Sequence, residues 1–188
     1  MAGRLTAVAH AAIAETLGRG AMAVDATAGN GRDTLFLADI VGPNGKVFAF
    51  DVQARAIAAT RHRLDDAGVS DRVDLIHAGH ESMAARLPGE ARGHIAAVMF
   101  NLGYLPGADH ATTTSAETTT AALKTAVTML APAAVMTVIA YRGHAAGIPE
   151  SEAVARECEA LSGSDFAVRR ASAAGNGPVL WIVRAPAH

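Results

Sequence analysis

Apolar side chains recur along the chain in two alternating rhythms, and their order predicts a layered α/β fold. Leu5, Val8, Ala9, Ala12, Ile13, Thr16 and Leu17 fall at helical spacing, so an amphipathic helix opens the sequence and Gly18 or Gly20 ends it. A short apolar run, Ala21 to Ala26, stops at a glycine-rich turn and reads as a strand, after which helical periodicity resumes from Asp33 to Ile40. Pro43-Asn44-Gly45 turns the chain into a second strand, Val47 to Phe50. The alternation continues with a helix from Ala54 to Asp66, a strand from Val73 to His77, a helix near Glu81 to Arg86, and a strongly apolar strand from Ile95 to Phe100. A long helix from about Ser115 to Leu130 leads to the strand Ala134 to Ala140. Pro149 and Ser151 precede a further helix ending near Leu161. Strands from Phe166 to Ala171 and from Val179 to Val183 follow each other with no room for a helix between them, which predicts an antiparallel hairpin at one edge. Strands that are apolar throughout require cover on both faces, so seven strands are expected in a mostly parallel, doubly wound sheet with helices on both faces.

Length and composition narrow the class. The 188 residues lie in the usual range of one domain, and residues 1–188 are read as a single domain. About half of them are apolar and the formal net charge is −2, which excludes a disordered chain and a broad basic surface of the kind that grips long nucleic acid by its phosphates. No role on DNA is expected. Local patches remain around Arg61, His62 and Arg63, at Arg142, and at Arg169 and Arg170, each of which also reads as an ordinary solvated face. The longest nearly apolar stretch, Ala131 to Ala140, is about half of the roughly 20 residues a membrane helix needs, so no membrane partner is expected. The lone Cys158 rules out an internal disulfide and points to a reducing, cytoplasmic setting. His77 and His80 stand three apart without further ligands, so no metal site is assigned.

The candidate chemistry begins at the first strand-to-helix turn, where doubly wound sheets hold their ligands. It reads Asp25-Ala26-Thr27-Ala28-Gly29-Asn30-Gly31-Arg32-Asp33-Thr34. Gly29 and Gly31 permit close backbone approach, and the small neighbours leave space. Asp51 ends the second strand 22 positions after Gly29, placed to accept hydrogen bonds from both ribose hydroxyls of an adenosine. Each feature alone also fits a plain chain reversal; together, in this order, they indicate an adenosyl cofactor. A dinucleotide fingerprint requires glycine where Thr34 stands, and Asp25 and Asp33 flank the turn where a pyrophosphate disfavours negative charge. S-adenosyl-L-methionine (SAM) has no phosphate and carries a sulfonium cation, so the acids favour it over NAD.

These residues, with Phe50-Asp51-Val52-Gln53, Gly79-His80-Glu81, Asn101-Leu102-Gly103-Tyr104-Leu105-Pro106 and Tyr141-Arg142-Gly143-His144-Ala145-Ala146-Gly147 followed by Glu150, resemble the family labelled putative rRNA methylases. The resemblance runs from the opening helix to Pro178, and the Asn101 segment is its most specific part. It implies a Rossmann-like class I methyltransferase fold. It also implies an activity found in members of that family, methylation of the aminomethyl group on the wobble uridine of transfer RNA. The sequence departs from the family at Gly107-Ala108-Asp109-His110, where Gly-Gly-Asp-Lys is common; without that lysine, the case for a phosphate grip by this loop weakens.

The resemblance and the residues together define a set of candidate sites. Cofactor binding is assigned to Asp25, Thr27, Ala28, Gly29, Asn30, Gly31, Asp33, Thr34, Asp51, Gln53, His80, Glu81 and Asn101. Asn101 ends the fourth strand, where nitrogen methyltransferases place a side chain that orients the amine lone pair; its alternative is a strand-end turn residue. His80 and Glu81 suit the adenine edge or, equally, a helix entry with a first-turn acid. Tyr141 and His144 would in isolation be packing or turn residues, but they follow the fifth strand on the same rim as Asn101 and are assigned with it to catalysis. Tyr104 and Arg142 are assigned to the substrate, Tyr104 as a platform for an exposed base. The partner expected is a transfer RNA anticodon loop, and a homodimer is the assembly left open. Competing readings are methylation of a small-molecule amine, an NAD-dependent oxidoreductase, and a nucleotide-binding module without chemistry.

Overall fold

The structure is a computed structural model that describes residues 2–103, 114–143, 147–173, 175 and 177–187. The helices are α1 (Ala2–Ala14), α2 (Arg32–Val41), α3 (Ala54–Ala67), α4 (Met83–Arg86), α5 (Ala116–Met129) and α6 (Gly147–Ser162). The strands are β1 (Met22–Asp25), β2 (Lys46–Asp51), β3 (Val73–His77), β4 (Ile95–Leu102), β5 (Leu130–Ala140), β6 (Ala167–Ser172) and β7 (Val179–Arg184). They form one seven-stranded sheet in the order β3-β2-β1-β4-β5-β7-β6. The first five strands run parallel, β7 lies antiparallel to β5, and β6 closes the edge antiparallel to β7.

Alternation along each strand divides the core between the two faces. Ala23, Val47, Ala49, Ala97, Met99, Ile139, Leu180 and Ile182 pack with the apolar faces of α1, α2 and α3. Their neighbours Val24, Phe48, Phe50, Val98, Phe100, Val138, Trp181 and Val183 pack with α4, α5 and α6. The sheet is therefore buried on both sides, which is why its parallel strands read as continuous apolar runs.

Four elements differ in detail from the sequence-based expectation, one of them α6, which begins at Gly147 and so takes in Pro149 and Ser151 instead of following them. The helix expected over Glu81 to Arg86 is a 3₁₀ turn, His80–Ser82, followed by the single turn of α4. Leu87 is extended at ψ 145°, as a residue preceding proline must be, and Pro88 ends the element. β5 starts four residues before Ala134, because Leu130 bridges to Ile95 before the register shifts; Ala133, at φ 60°, marks the irregularity. α1 stops at Ala14, and a turn in which Thr16 and Leu17 both donate to the Ile13 carbonyl leads on to Gly20.

Pairing on opposite sides of β1 makes the carboxyl ends of β1 and β4 the topological switch point. Among the described residues, no helix is long and apolar enough to cross a membrane.

Candidate active site

The turn after β1 is stitched to both neighbouring strands. Ala26 N–H donates to the Met99 carbonyl and Ala28 N–H to the Phe50 carbonyl, each at 2.8 Å. Gly29 (φ 54°) and Gly31 (φ 74°) adopt left-handed backbone. A Cβ on Gly31 would lie 2.9 Å from the Thr60 Cα, so this glycine lets α3 close on the turn. Thr60 Oγ1 donates to the Gly29 carbonyl at 3.2 Å and Arg63 Nε to that of Asn30 at 2.7 Å. Arg63 thus leaves the basic cluster to brace the turn, and His62 faces Asp66 at 2.9 Å.

Asp51, half-buried at the end of β2, accepts from Gly29 N–H at 2.9 Å through Oδ2 and from Gln53 N–H at 2.8 Å through Oδ1. A carboxylate has about four acceptor positions, so both oxygens keep capacity for ribose hydroxyls. Asp25 is almost fully buried; it accepts from Thr27 N–H at 3.0 Å and from the Thr34 hydroxyl at 2.6 Å. Burial, and after it the Asp33 carboxylate, push the Asp25 carboxyl up to about 7, with Asp51 contributing further. Burial is the main cause of the shift, and only its smaller part, from Asp33 and Asp51, reflects the acidic character of this turn.

Asn101 joins β4 to the turn. Its backbone N–H donates to Thr27 Oγ1 at 2.8 Å, and its side-chain Nδ2 donates to Asp33 Oδ2 at 3.2 Å. The other oxygen of Asp33 pairs with His10 Nε2 at 2.7 Å, and the His10 ring lies flat against Phe36, centroids 3.8 Å apart and 4° from parallel. Tyr141 follows β5; a Cβ on Gly103 would lie 3.3 Å from its ring, which places the ring against the Asn101 segment. Burial, then the Asp33 carboxyl group, raise the Tyr141 phenol above its ordinary value, so it remains protonated at neutral pH. Asp33, Asn101 and Tyr141 therefore converge, with Arg142 half-buried beside them. Tyr104 and His144 lie outside the described residues.

His80 is buried at the start of the 3₁₀ turn. Its Nδ1 is 3.2 Å from the Ala26 carbonyl, and its ring meets Phe100 edge-on. Burial above all lowers its pKa, which keeps the imidazole neutral. Glu81 folds back over Gly79, where its carboxylate occupies the space a Cβ would take. His77 Nε2 is 3.0 Å from the Val52 carbonyl. Glu150, in the first turn of α6, accepts from the Thr119 hydroxyl of α5 at 2.6 Å. The residues that sequence reasoning passed over are His10, Phe36 and Thr60, while Arg63 was read as part of a basic patch and not as a brace of the turn. Only His10 could have been noticed, as a polar residue within an apolar helical stripe, yet nothing local links it to Asp33.

The family described as "Putative rRNA methylase" matches residues 47–182. The chain is 37% identical over 171 residues to the chloroplastic tRNA (mnm5s2U34)-methyltransferase of Arabidopsis thaliana, covering 87% of this chain and 62% of that relative, so it spans less than two thirds of the relative's length. A protein of Clostridium thermocellum described as a putative rRNA-methylase has the same fold, with TM-score 0.87 and 41% identity over 95% of this chain and 96% of that one. A Streptococcus mutans protein described as a putative methyltransferase, solved in complex with SAH, aligns with TM-score 0.83 and 31% identity over 95% and 96% of the two chains. The match over residues 47–182 and the likeness to these relatives in sequence and sheet order mean that the chain belongs to the rRNA methylase family of SAM-dependent methyltransferases.

Proposed function

We propose that this protein methylates an exocyclic amine, converting 5-aminomethyl(-2-thio)uridine at the wobble position of transfer RNA to its methylaminomethyl form. The observation that carries this reading is Asn101, a half-buried carboxamide at the end of β4 whose N–H side is taken by Asp33. Its carbonyl side is left to meet an amine. The name of the Arabidopsis relative supports the choice of substrate.

SAM supplies a methyl group activated on a sulfonium, open to direct displacement by an uncharged amine. In this reading Asp51 holds the ribose hydroxyls, the turn from Asp25 to Thr34 cradles the methionyl part with Gln53 beside it, and His80 and Glu81 flank the adenine. The substrate amine first gives up its ammonium proton to solvent. Its nitrogen then forms the new N–C bond as the S–C bond breaks, and the second proton leaves with the developing charge. Asn101 orients the lone pair by accepting an amine N–H, which is positioning rather than covalent chemistry. Tyr141 donates at the same rim, and His144, with Tyr104 and Arg142 toward the RNA, completes the proposal. A cytoplasmic setting belongs to it as well.

The test is incubation of the purified protein with SAM and transfer RNA carrying the unmethylated aminomethyl nucleoside, followed by nucleoside mass spectrometry. Conversion to the methylaminomethyl nucleoside is the expected result. Untouched RNA alongside a methylated small amine, from protein that binds SAM, would overturn it.

A further inference from the structure

A carboxamide is nearly symmetric in shape, so a residue that orients an amine lone pair must itself be prevented from flipping. An Asn presenting its NH2 to an incoming amine would offer a donor where an acceptor is needed. Asn101 is held at two points: its backbone N–H on Thr27 Oγ1, and its side chain against Asp33. The structure sets Nδ2 of Asn101 against Oδ2 of Asp33, so the amide donates and the carboxyl oxygen accepts. The carbonyl Oδ1 points the other way and takes no partner among the described residues.

Asp33 in turn is fixed from its far side. His10 Nε2 meets its second oxygen at 2.7 Å, and the same logic requires that nitrogen to carry a proton. The imidazole cannot swing, because Phe36 lies parallel against it at 3.8 Å. His10 comes from α1 and Asp33 from α2, so the chain of contacts runs from one face of the sheet to the tip of β4.

We propose that His10 and Asp33 are positioning residues that set the orientation of the Asn101 carboxamide, so that an acceptor oxygen always faces the substrate amine. The inference rests on the reading of Asn101 as the amine-facing residue. It goes beyond that reading by assigning the polarity of the site to a pair that acts through Asn101.

The polarity can be reversed. Asn101→Asp alone sets two acceptor-only carboxylates against each other. Adding Asp33→Asn restores a donor to the contact, because the new carboxamide can give its NH2 to position 101 and keep its carbonyl for His10. With SAM and transfer RNA bearing the unmethylated aminomethyl nucleoside, Asp33→Ala and His10→Ala should lower kcat about ten- to a hundredfold. For His10→Ala, SAH affinity measured by calorimetry should stay within about threefold of wild type, and the double variant should recover about tenfold in kcat over Asn101→Asp. The Asn101 side-chain amide protons, followed by 15N NMR with SAH bound, should shift when Asp33 is replaced by Ala, a readout that needs no turnover. An impaired Asn101→Ala with unimpaired Asp33 and His10 variants would overturn this proposal alone. A fully active Asn101→Ala would overturn the amine-orienting reading beneath it. Amide protons insensitive to Asp33→Ala, or a double variant no better than Asn101→Asp, would overturn the proposal whatever the substrate.

Discussion

Asp25, buried in the turn after β1, couples pH to stability. Its carboxyl titrates near 7 in the folded protein against an ordinary 3.8, so the folded state binds the proton more tightly than the unfolded chain. Stability must therefore fall as pH rises from about 4 to about 7 and level off above, by an amount on the order of a few kcal/mol. Asp25→Asn keeps an acceptor for Thr27 and a partner for Thr34 while removing the titration. Thermal melts across pH 5 to 8 should show a flatter profile for the variant, and equal slopes would refute the assignment. Asp51 belongs to the same scale. Losing a charged partner of bound hydroxyls costs about 1.5 to 3 kcal/mol, so folded Asp51→Ala should bind SAM roughly ten- to a hundredfold more weakly in calorimetry. Wild-type affinity would move the ribose site elsewhere. Asp51 and Asn101 were legible in the sequence because each ends an apolar run that can only be a buried strand. His10 was not, because its partner lies 23 residues away and their meeting depends on how α1 is seated.

Between elements, single contacts decide how helices close on the sheet. Gly31 combines a left-handed backbone with a Cβ position 2.9 Å from the Thr60 Cα, and backbone yields less readily than a side chain. Gly31→Ala should cost about 1 to 3 kcal/mol, read as a lower urea midpoint with an unchanged slope. The Thr119 hydroxyl supplies a hydrogen bond that ties α5 to Glu150 on α6, and the second oxygen of that buried carboxyl group has no hydrogen-bond partner among the described residues. Thr119→Val leaves the carboxylate with neither, and urea unfolding should show a loss of about 1 to 3 kcal/mol. A loss below half a kcal/mol would mean the tie carries no load. Element boundaries were read closely where glycine ends a helix, as at Gly42 and Gly68, but not beside Pro132 and Pro149, which lie inside β5 and α6. They were missed over residues 80–86, where the apolar spacing of a helix is present but Pro88 allows only one turn.

At the scale of the molecule, the sequence foretold the parallel sheet and the antiparallel hairpin, since continuous apolar runs demand cover on both faces and two strands without a helix between them must turn back. It could not place β7. That strand is the last to appear in the chain, yet it sits inside the sheet between β5 and β6. Periodicity reports which face of a strand is buried and says nothing of its neighbours.

The position of β7 bears on the order of assembly during synthesis. α1 leaves the ribosome first, but Leu180 and Ile182 of β7 belong to the core on which it rests, and Arg184 at the end of β7 reaches back to Thr16 and Glu15, at 2.7 and 2.6 Å. β6 likewise waits for β7 to join it to the sheet. Such long-range closure is slow, and the helix that brings His10 to Asp33 gains its full seat only when the final strand is in place. A nascent chain thus cannot seat His10 fully on Asp33 before β7 has docked. In pulsed hydrogen exchange, amides of α1 and β7 should gain protection in the same kinetic phase, later than those of β1, β2 and β4.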